Sequence, residues 1–317
     1  MADKDTGSAT DKPSESLATP EQAADLAVEL PSGGDLTPDD AAGITIAFLT
    51  RLVLVAGEAE SGKTTLLTTI YEKFNEGPFA NFLFAGSATL VGWEKRCHFA
   101  RIASGAEKAE TERTQGLKQQ LLHLRVRAAD CAQTEQDVLF TDLSGEVFKL
   151  IRDSTAECQQ FGMLKRADHL VLLIDGKKLA NMAARHEALT NSISLLRSCV
   201  DAGMVGPRSF VDVAFSKYDV LATAGEQTSE FLRFATETIT SRFAAKVGRL
   251  RFYNIAARPE SEEIEFGFGI AGLLHSWVED SPYVIGPLAF PAELSSNASS
   301  FDRYLRVRLP QFRKIRA

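Results

Sequence analysis

The sequence predicts an α/β protein of three layers, with a mostly parallel sheet between helices on both faces. Three observations predict it. From about residue 44 onward, short apolar runs alternate with longer amphipathic ones, the pattern of repeated strand–helix units. The run Leu170–Ile174 is apolar without interruption, as a strand covered on both faces requires. A glycine-bounded turn, Gly57–Gly62, stands between the apolar run Leu52–Val55 and a helical pattern that begins at Lys63.

The elements follow in order. Thr50–Ala56 is the first strand, and it feeds a helix over Lys63–Phe74. Asn81–Leu90 and Gly92–Ser104 read as an additional strand and helix. Gln119–Arg127 and Glu135–Leu143 are two strands across a short turn, an antiparallel pair. A helix over Val147–Phe161 leads to the buried strand His169–Asp175 and a long helix, Leu179–Val200. Ser209–Phe215 is a strand, Gln227–Val247 a helix, Leu250–Ile255 a strand and Gly267–Val278 the closing helix.

Three regions result. Residues 1–42 carry ten acids and two lysines and no aromatic residue. Such a segment cannot offset its ordering entropy and reads as a disordered acidic tail, with a short helix possible around Glu21–Leu30. Residues 43–280 form the folded domain, with an insertion around 78–112. Residues 281–317 are a basic extension, a wrap-around stretch followed by Arg303, Arg306, Arg308, Arg313, Lys314 and Arg316 against Asp302 alone. These cations either meet an anionic partner (nucleic acid, or the chain's own acidic tail) or form one solvated face. Nothing else in the sequence indicates nucleic acid.

Composition excludes several classes. Hydrophobic residues make up 44% and charged residues 24% of the 317, as in an ordinary globular protein. No apolar run approaches the roughly 20 residues that cross a bilayer. The start, Met1-Ala2-Asp3-Lys4, has neither a secretory pattern nor a glycine for myristoylation. Cys97, Cys131, Cys158 and Cys199 are scattered without a C-x-x-C pair, so they read as reduced thiols and the chain as cytoplasmic. The five histidines have no metal-ligand spacing, and no nucleophile motif stands out.

The chemistry lies in three short segments. Gly57-Glu58-Ala59-Glu60-Ser61-Gly62-Lys63-Thr64 has the phosphate-cradling spacing G-x-x-x-x-G-K-T. Its glycines let the backbone N–H groups of the loop, through Glu60, Ser61 and Gly62, converge on a β-phosphate. Lys63 bridges β- and γ-phosphates, the Thr64 hydroxyl ligates Mg²⁺, and Thr65 continues the helix whose N-terminal dipole adds to the site. Glu58 and Glu60 are unusual within such a loop. Their side chains are expected to point away from the phosphates while lowering the local positive potential.

The second segment is Thr141-Asp142-Leu143-Ser144-Gly145-Glu146. Asp142, at the end of an apolar strand, is placed to hold Mg²⁺, and Gly145 to offer its N–H to a γ-phosphate. Glu146 either orients an attacking water or charges the first turn of the next helix. The third is Ser216-Lys217-Tyr218-Asp219. A carboxylate at Asp219 accepts both N1–H and the N2 amino group of guanine, a donor pair that adenine lacks, while Lys217 lies across the base plane. Ala257, in Ile255-Ala256-Ala257-Arg258, offers a backbone contact to guanine O6.

In that order, Gly57–Thr64, Asp142–Gly145 and Ser216–Asp219 resemble the nucleotide-binding motifs of the translation-factor-related (TRAFAC) class of P-loop GTPases, with Ser216 in place of the usual Asn. The wider set Ser61–Leu67, Phe84–Leu90, Leu122–Leu124 and Thr141–Glu146 resembles the bacterial double-GTPase domain family over roughly residues 48–280. The resemblance implies a Ras-like G domain that binds GTP and GDP with Mg²⁺ and works as a switch in multi-gene conflict or defence systems. It also implies a protein effector or a second GTPase as partner. It requires a switch threonine before the D-x-x-G strand, and Thr114 is the candidate, with Thr111 second. Arg113 is either an internal arginine finger or an exposed loop residue. Ala59 stands where Ras-like proteins carry Gly, which implies slow intrinsic hydrolysis. Read from the residues alone, a P-loop ATPase or kinase, or a non-catalytic nucleotide-binding scaffold, also remains open.

Overall fold

The computed structural model describes residues 32–47, 50–105, 120–130, 135–141 and 144–279. The seven strands are β1 (Thr50–Gly57), β2 (Phe82–Gly86), β3 (Leu121–Ala128), β4 (Glu135–Thr141), β5 (His169–Asp175), β6 (Phe210–Ser216) and β7 (Arg249–Asn254). They form one sheet in the order β2-β3-β4-β1-β5-β6-β7. β1 pairs in parallel with β4 on one side and β5 on the other, and β5, β6 and β7 continue in parallel. β3 runs antiparallel to both β4 and β2, so the expected antiparallel pair is present within a mostly parallel sheet. Because the chain order departs in both directions from β1, its carboxyl end lies at a topological switch point, where open α/β sheets place their ligands.

Every residue of β1 and β5 is buried, which explains their near-continuous apolar sequences. Period-two alternation divides β1 between two cores. Val53 and Val55 pack with Leu66, Leu67 and Ile70 of helix α2 (Lys63–Glu76), with Trp93, and with Leu273, Leu274 and Trp277 of helix α11 (Ile270–Glu279). Leu54 and Ala56 pack on the other face, with Val147, Phe148 and Ile151 of helix α4 (Gly145–Asp153). Leu189, Ile193 and Leu196 of helix α8 (Arg185–Asp201) and Phe231, Ala235 and Ile239 of helix α10 (Glu226–Phe243) belong to the same cluster. At about 1.5–3 kcal/mol per fully buried large apolar side chain, these two clusters hold β1, and with it the turn at its end, in place.

Several boundaries differ from expectation. The acidic segment is structured in its last part: helix α1 (Pro38–Ala47) is preceded by Leu36, which exchanges backbone hydrogen bonds with Leu121. Asp35 is held by both terminal nitrogens of Arg96 (2.7 and 3.0 Å). The expectation of disorder to residue 42 therefore fails for residues 35–42. The missed signal is Thr37-Pro38-Asp39-Asp40. Asp40 accepts from Thr37 N (3.0 Å) and donates its own N–H to Thr37 Oγ1 (3.2 Å), a reciprocal cap with Pro at the first helical position. The suggested helix at Glu21–Leu30, and the extension from residue 281, lie outside the described residues.

The helix expected over Val147–Phe161 is three: α4, α5 (Thr155–Gln160) and α6 (Gly162–Arg166). Ser154 breaks it, closing α4 through its N–H to Leu150 O and capping α5 through its hydroxyl, which accepts from Glu157 N. Serine offers the backbone an alternative to the helix ladder. The long helix expected from Leu179 is likewise divided into a short α7 (Gly176–Ala180) and α8, with the turn at Asn181–Ala184 between them. A short helix α9 (Tyr218–Thr223) precedes α10. The additional helix, α3, spans Leu90–Gly105. Cys97, Cys158 and Cys199 are buried free thiols, and Cys131 lies outside the described residues.

The β3–β4 pair carries a buried polar clasp. His123 Nδ1 accepts from Ala88 N (2.8 Å), so its Nε2 carries the proton and donates to Asp137 Oδ1 (2.7 Å). Arg125 Nε donates to the same oxygen (2.8 Å). Burial pushes the Asp137 carboxyl upward, but the bonds from His123 and Arg125 bring it net below its ordinary value. The folded state therefore binds this proton less tightly than the unfolded chain. Asp137 stabilises the fold above the usual carboxylate range, and that stability is lost as pH falls toward the depressed value. Asp137→Ala, which takes the shared acceptor from the buried His123 and the half-buried Arg125, is expected to cost about 3 kcal/mol. Urea unfolding at pH 7 and pH 4 checks both points: the deficit should shrink at the lower pH.

Candidate functional site

The carboxyl end of β1 turns through Glu58–Gly62 into α2. Gly57 must be glycine, because a Cβ there would stand 2.6 Å from Ser61 Oγ and 2.7 Å from Leu173 O. Glu60 (φ +64°) and Gly62 (φ +95°) take the left-handed conformation that turns the chain back over itself. For Glu60, a non-glycine residue, this costs roughly 1–2 kcal/mol. Lys63, in the first turn of α2, is buried, and its Nζ donates across the loop to Gly57 O (2.9 Å) and Glu58 O (2.7 Å). Thr64 and Thr65 follow it, both half-buried. Ser61 Oγ is fully buried with no hydrogen-bond partner. The loop is thus a closed turn at a helix N-terminus, the geometry that binds phosphate.

Gly145 opens α4 directly against this loop. A Cβ on it would meet Ala59 N at 2.6 Å and Ala59 Cα at 2.8 Å. Ser144 caps the helix, its hydroxyl accepting from Val147 N (3.3 Å), and Glu146 lies exposed in the first turn. Thr141, the last described residue of β4, pairs with Leu54, and its hydroxyl accepts from Val55 N (3.2 Å). Asp142, Thr111, Arg113 and Thr114 lie outside the described residues, so of the expected metal ligands only Thr64 is placed.

The segment Ser216–Asp219 meets the same loop from the other side through Lys217. Lys217 has φ +52° and ψ +45°, and its Nζ donates to Glu60 O (3.0 Å) and to Asp175 Oδ2 (2.8 Å). Ser216 is buried, its hydroxyl donating to Ile174 O (3.3 Å). Asp219 is buried, and its Oδ2 accepts from Glu260 N (2.9 Å). Ala257 O accepts from Gly267 N and from Thr69 Oγ1 of α2. An ion pair between Lys177 and Glu260 draws this loop toward α7. It raises the lysine and lowers the carboxyl from their ordinary values.

Two residues of the site were missed in the sequence. Asp175 ends β5, caps α7 through Lys177 N (2.9 Å) and holds Lys217; an apolar strand ending in Asp-Gly was a signal for it. Glu58, expected only to lower the loop's potential, has its carboxylate paired with Lys178 Nζ (2.7 Å) and Asn191 Nδ2 (2.6 Å). These partners are more than a hundred residues away, and no local pattern announces them. Beside the loop a cleft of about 350 Å³ runs between α4 and α8, lined by Ala59, Gly145, Lys149, Arg152, Glu187 and Asn191 among others. Among the described residues no group of His, Cys, Asp and Glu side chains could hold a metal by itself, and no helix is long and apolar enough to cross a membrane.

Solved structures similar to the chain include the Ski7 GTPase-like domain of S. cerevisiae, determined bound to GDP and inorganic phosphate and again bound to GTP. It is 12% identical, with 76% of this chain and 52% of that chain covered and a TM-score of 0.44. Methanosarcina barkeri Roco2 RocCORdC bound to GDP is 17% identical, covering 71% of this chain and 47% of that one at a TM-score of 0.35. The chain spans about half the length of these structures. No curated protein sequence matches it. Residues 51–278, from the second residue of β1 to the last but one of α11, match the family model described as Double-GTPase 2. With its motifs and its α/β fold in agreement, the chain belongs to the Double-GTPase 2 family.

Proposed function

We propose that this protein binds guanine nucleotide at the loop after β1 and acts as a nucleotide-dependent switch with slow Mg²⁺-dependent GTP hydrolysis. The observation that carries the reading is the Lys217 bond to Glu60 O, which joins the base-reading segment to the phosphate loop across 157 residues of sequence. A surface Lys/Asp pair would have no reason to meet that loop. Asp219, buried beside it, presents a carboxylate to the two donors on the guanine edge. Lys63 supplies positive charge to the phosphates, and the Thr64 hydroxyl, with Asp142, supplies hard oxygen donors of the kind Mg²⁺ takes. Mg²⁺, when bound, would neutralise phosphate charge.

Switching follows from the contact between Gly145 and Ala59. With no room for a methyl group between them, a change at the loop on gain or loss of a γ-phosphate is passed to the start of α4. Thr114 is the second switch element in this reading. The methyl group of Ala59 at that contact crowds the place where water would be oriented, so unaided turnover is slow. An effector or second GTPase is the partner, and the 43–280 segment is the working domain. Phosphate release from GTP should be measurable, slow, and abolished by EDTA. Release from ATP at an equal rate would sink the reading.

Gly145→Ala provides a separate check. The added methyl must displace the loop backbone, and a fall of at least about 10-fold in GTP affinity is expected, measured by displacement of a fluorescent GDP.

A further inference from the structure

We propose that Lys178 and Asn191 are positioning residues for nucleotide binding, holding the Glu58 carboxylate away from the phosphate cradle and neutralising it. The inference rests on the nucleotide site proposed above. Glu58 is the second residue of the loop, and its backbone serves the cradle: its carbonyl accepts from Lys63 Nζ (2.7 Å) and from Ser61 N (3.3 Å). A carboxylate on such a residue is a fixed negative charge beside a ligand carrying three or four of its own. Each charge pair at that range repels appreciably in a partly buried site.

The structure disposes of this charge through two other elements. Lys178 of α7 donates to Glu58 Oε2 at 2.7 Å, and Asn191 of α8 donates to Oε1 at 2.6 Å. Each carboxylate oxygen thus has its own donor, one charged and one neutral. All three side chains are partly shielded from solvent, so the pairing is less screened than a surface ion pair. The hydrogen bond to Glu58 also raises the Lys178 amine above its ordinary value, keeping it charged. Lys178 follows directly from the turn in which Asp175 caps α7 and grips Lys217. The neutralising lysine and the base-reading lysine are therefore set by one short helix. Glu60, the other acid of the loop, is exposed, and its carbonyl accepts from Lys217.

Four proteins test the proposal: wild type, Glu58→Gln, Lys178→Met and the double variant, each titrated with GTP and GDP, with thermal melts to monitor folding. Removing the lysine leaves the acid unbalanced, and affinity for GTP should fall on the order of 10-fold or more, with a smaller loss for GDP, which carries less charge. Removing the acid leaves the lysine unbalanced, and GTP should bind several-fold more tightly. In the double variant the two effects should cancel. Asn191→Leu, which removes a donor but no charge, should cost less than Lys178→Met. A purely structural clamp would weaken binding in both single variants without cancellation, and that result overturns the proposal. Should Lys178→Met fail to fold, the near-isosteric Glu58→Gln decides alone, because no gain in GTP affinity also overturns it. A wild type that binds no nucleotide removes both this inference and the proposed function. A wild type that prefers ATP removes only the guanine reading, and the same cycle is then read on ATP.

Discussion

Replacing Lys63 with methionine is expected to lower affinity for GTP and GDP by at least about 100-fold while leaving the fold intact. The side chain is buried and bridges Gly57 O and Glu58 O across the loop, so its ammonium is fixed at the centre of the cradle. A charge-assisted hydrogen bond to a phosphate is roughly twice as strong as a neutral one, and each 1.4 kcal/mol is a factor of ten. Losing such a bond together with a full positive charge beside the phosphates accounts for the two decades. Methionine keeps the length and the apolar stem and removes only the ammonium, whose Nζ stands 5.8 Å from the Phe148 ring centroid. Equilibrium titration with a fluorescent GDP, beside a urea melt, separates lost binding from lost stability.

The second large effect is on specificity. Asp219→Asn is expected to cost on the order of 100-fold in GTP affinity and to move preference toward xanthine nucleotide. A carboxylate offers only acceptors, which suit the two donors N1–H and N2–H of guanine. The amide of asparagine offers one acceptor and one donor, which suit N1–H and the carbonyl oxygen of xanthine. A site built to hydrogen-bond one edge pattern rejects the analogue that leaves its buried groups unpaired. Asp219 is only 5% exposed, so water cannot rescue the mismatch. The Glu260 N–H still needs an acceptor after the substitution, and the remaining amide oxygen must serve both it and the base. Xanthine nucleotide should therefore bind the variant more weakly than GTP binds the wild type. Competition among GTP, XTP and ATP on the variant gives the order directly.

What was legible in the sequence was what is local. The phosphate loop is eight consecutive residues whose glycines and lysine act where they stand, and the strand before it and helix after it carry their own periodicity. The order of the three motifs along the chain also suggested that Ser216–Asp219 serves the same site as the loop, and Lys217 does reach Glu60 O. The breaks at Ser154 and after Ala180 were not legible, because a serine cap and a short turn leave the apolar spacing of the flanking helices unchanged. Helix α1 was missed for a different reason. The acidic composition of residues 1–42 points to disorder, whereas the helix depends on the local Thr37–Asp40 cap and on one anchoring leucine, Leu36. The Glu58 pairing with Lys178 and Asn191 depends on β5 lying beside β1, a fact of topology that no window of sequence contains. Asp175 lies between these cases: its place at a strand end was visible, but its hold on Lys217 required the neighbouring strand β6.

In the proposed function, the lysine and carboxylate after β6 turn a phosphate-binding loop into a guanine site. The most direct measurement is a competition titration on the wild-type chain with Mg²⁺ present, displacing a fluorescent GDP with GTP, GDP, ATP and XTP in turn. GTP and GDP should displace it at concentrations at least about 100-fold below those needed for ATP and XTP. Displacement by ATP at the same concentration as GTP would contradict the claim.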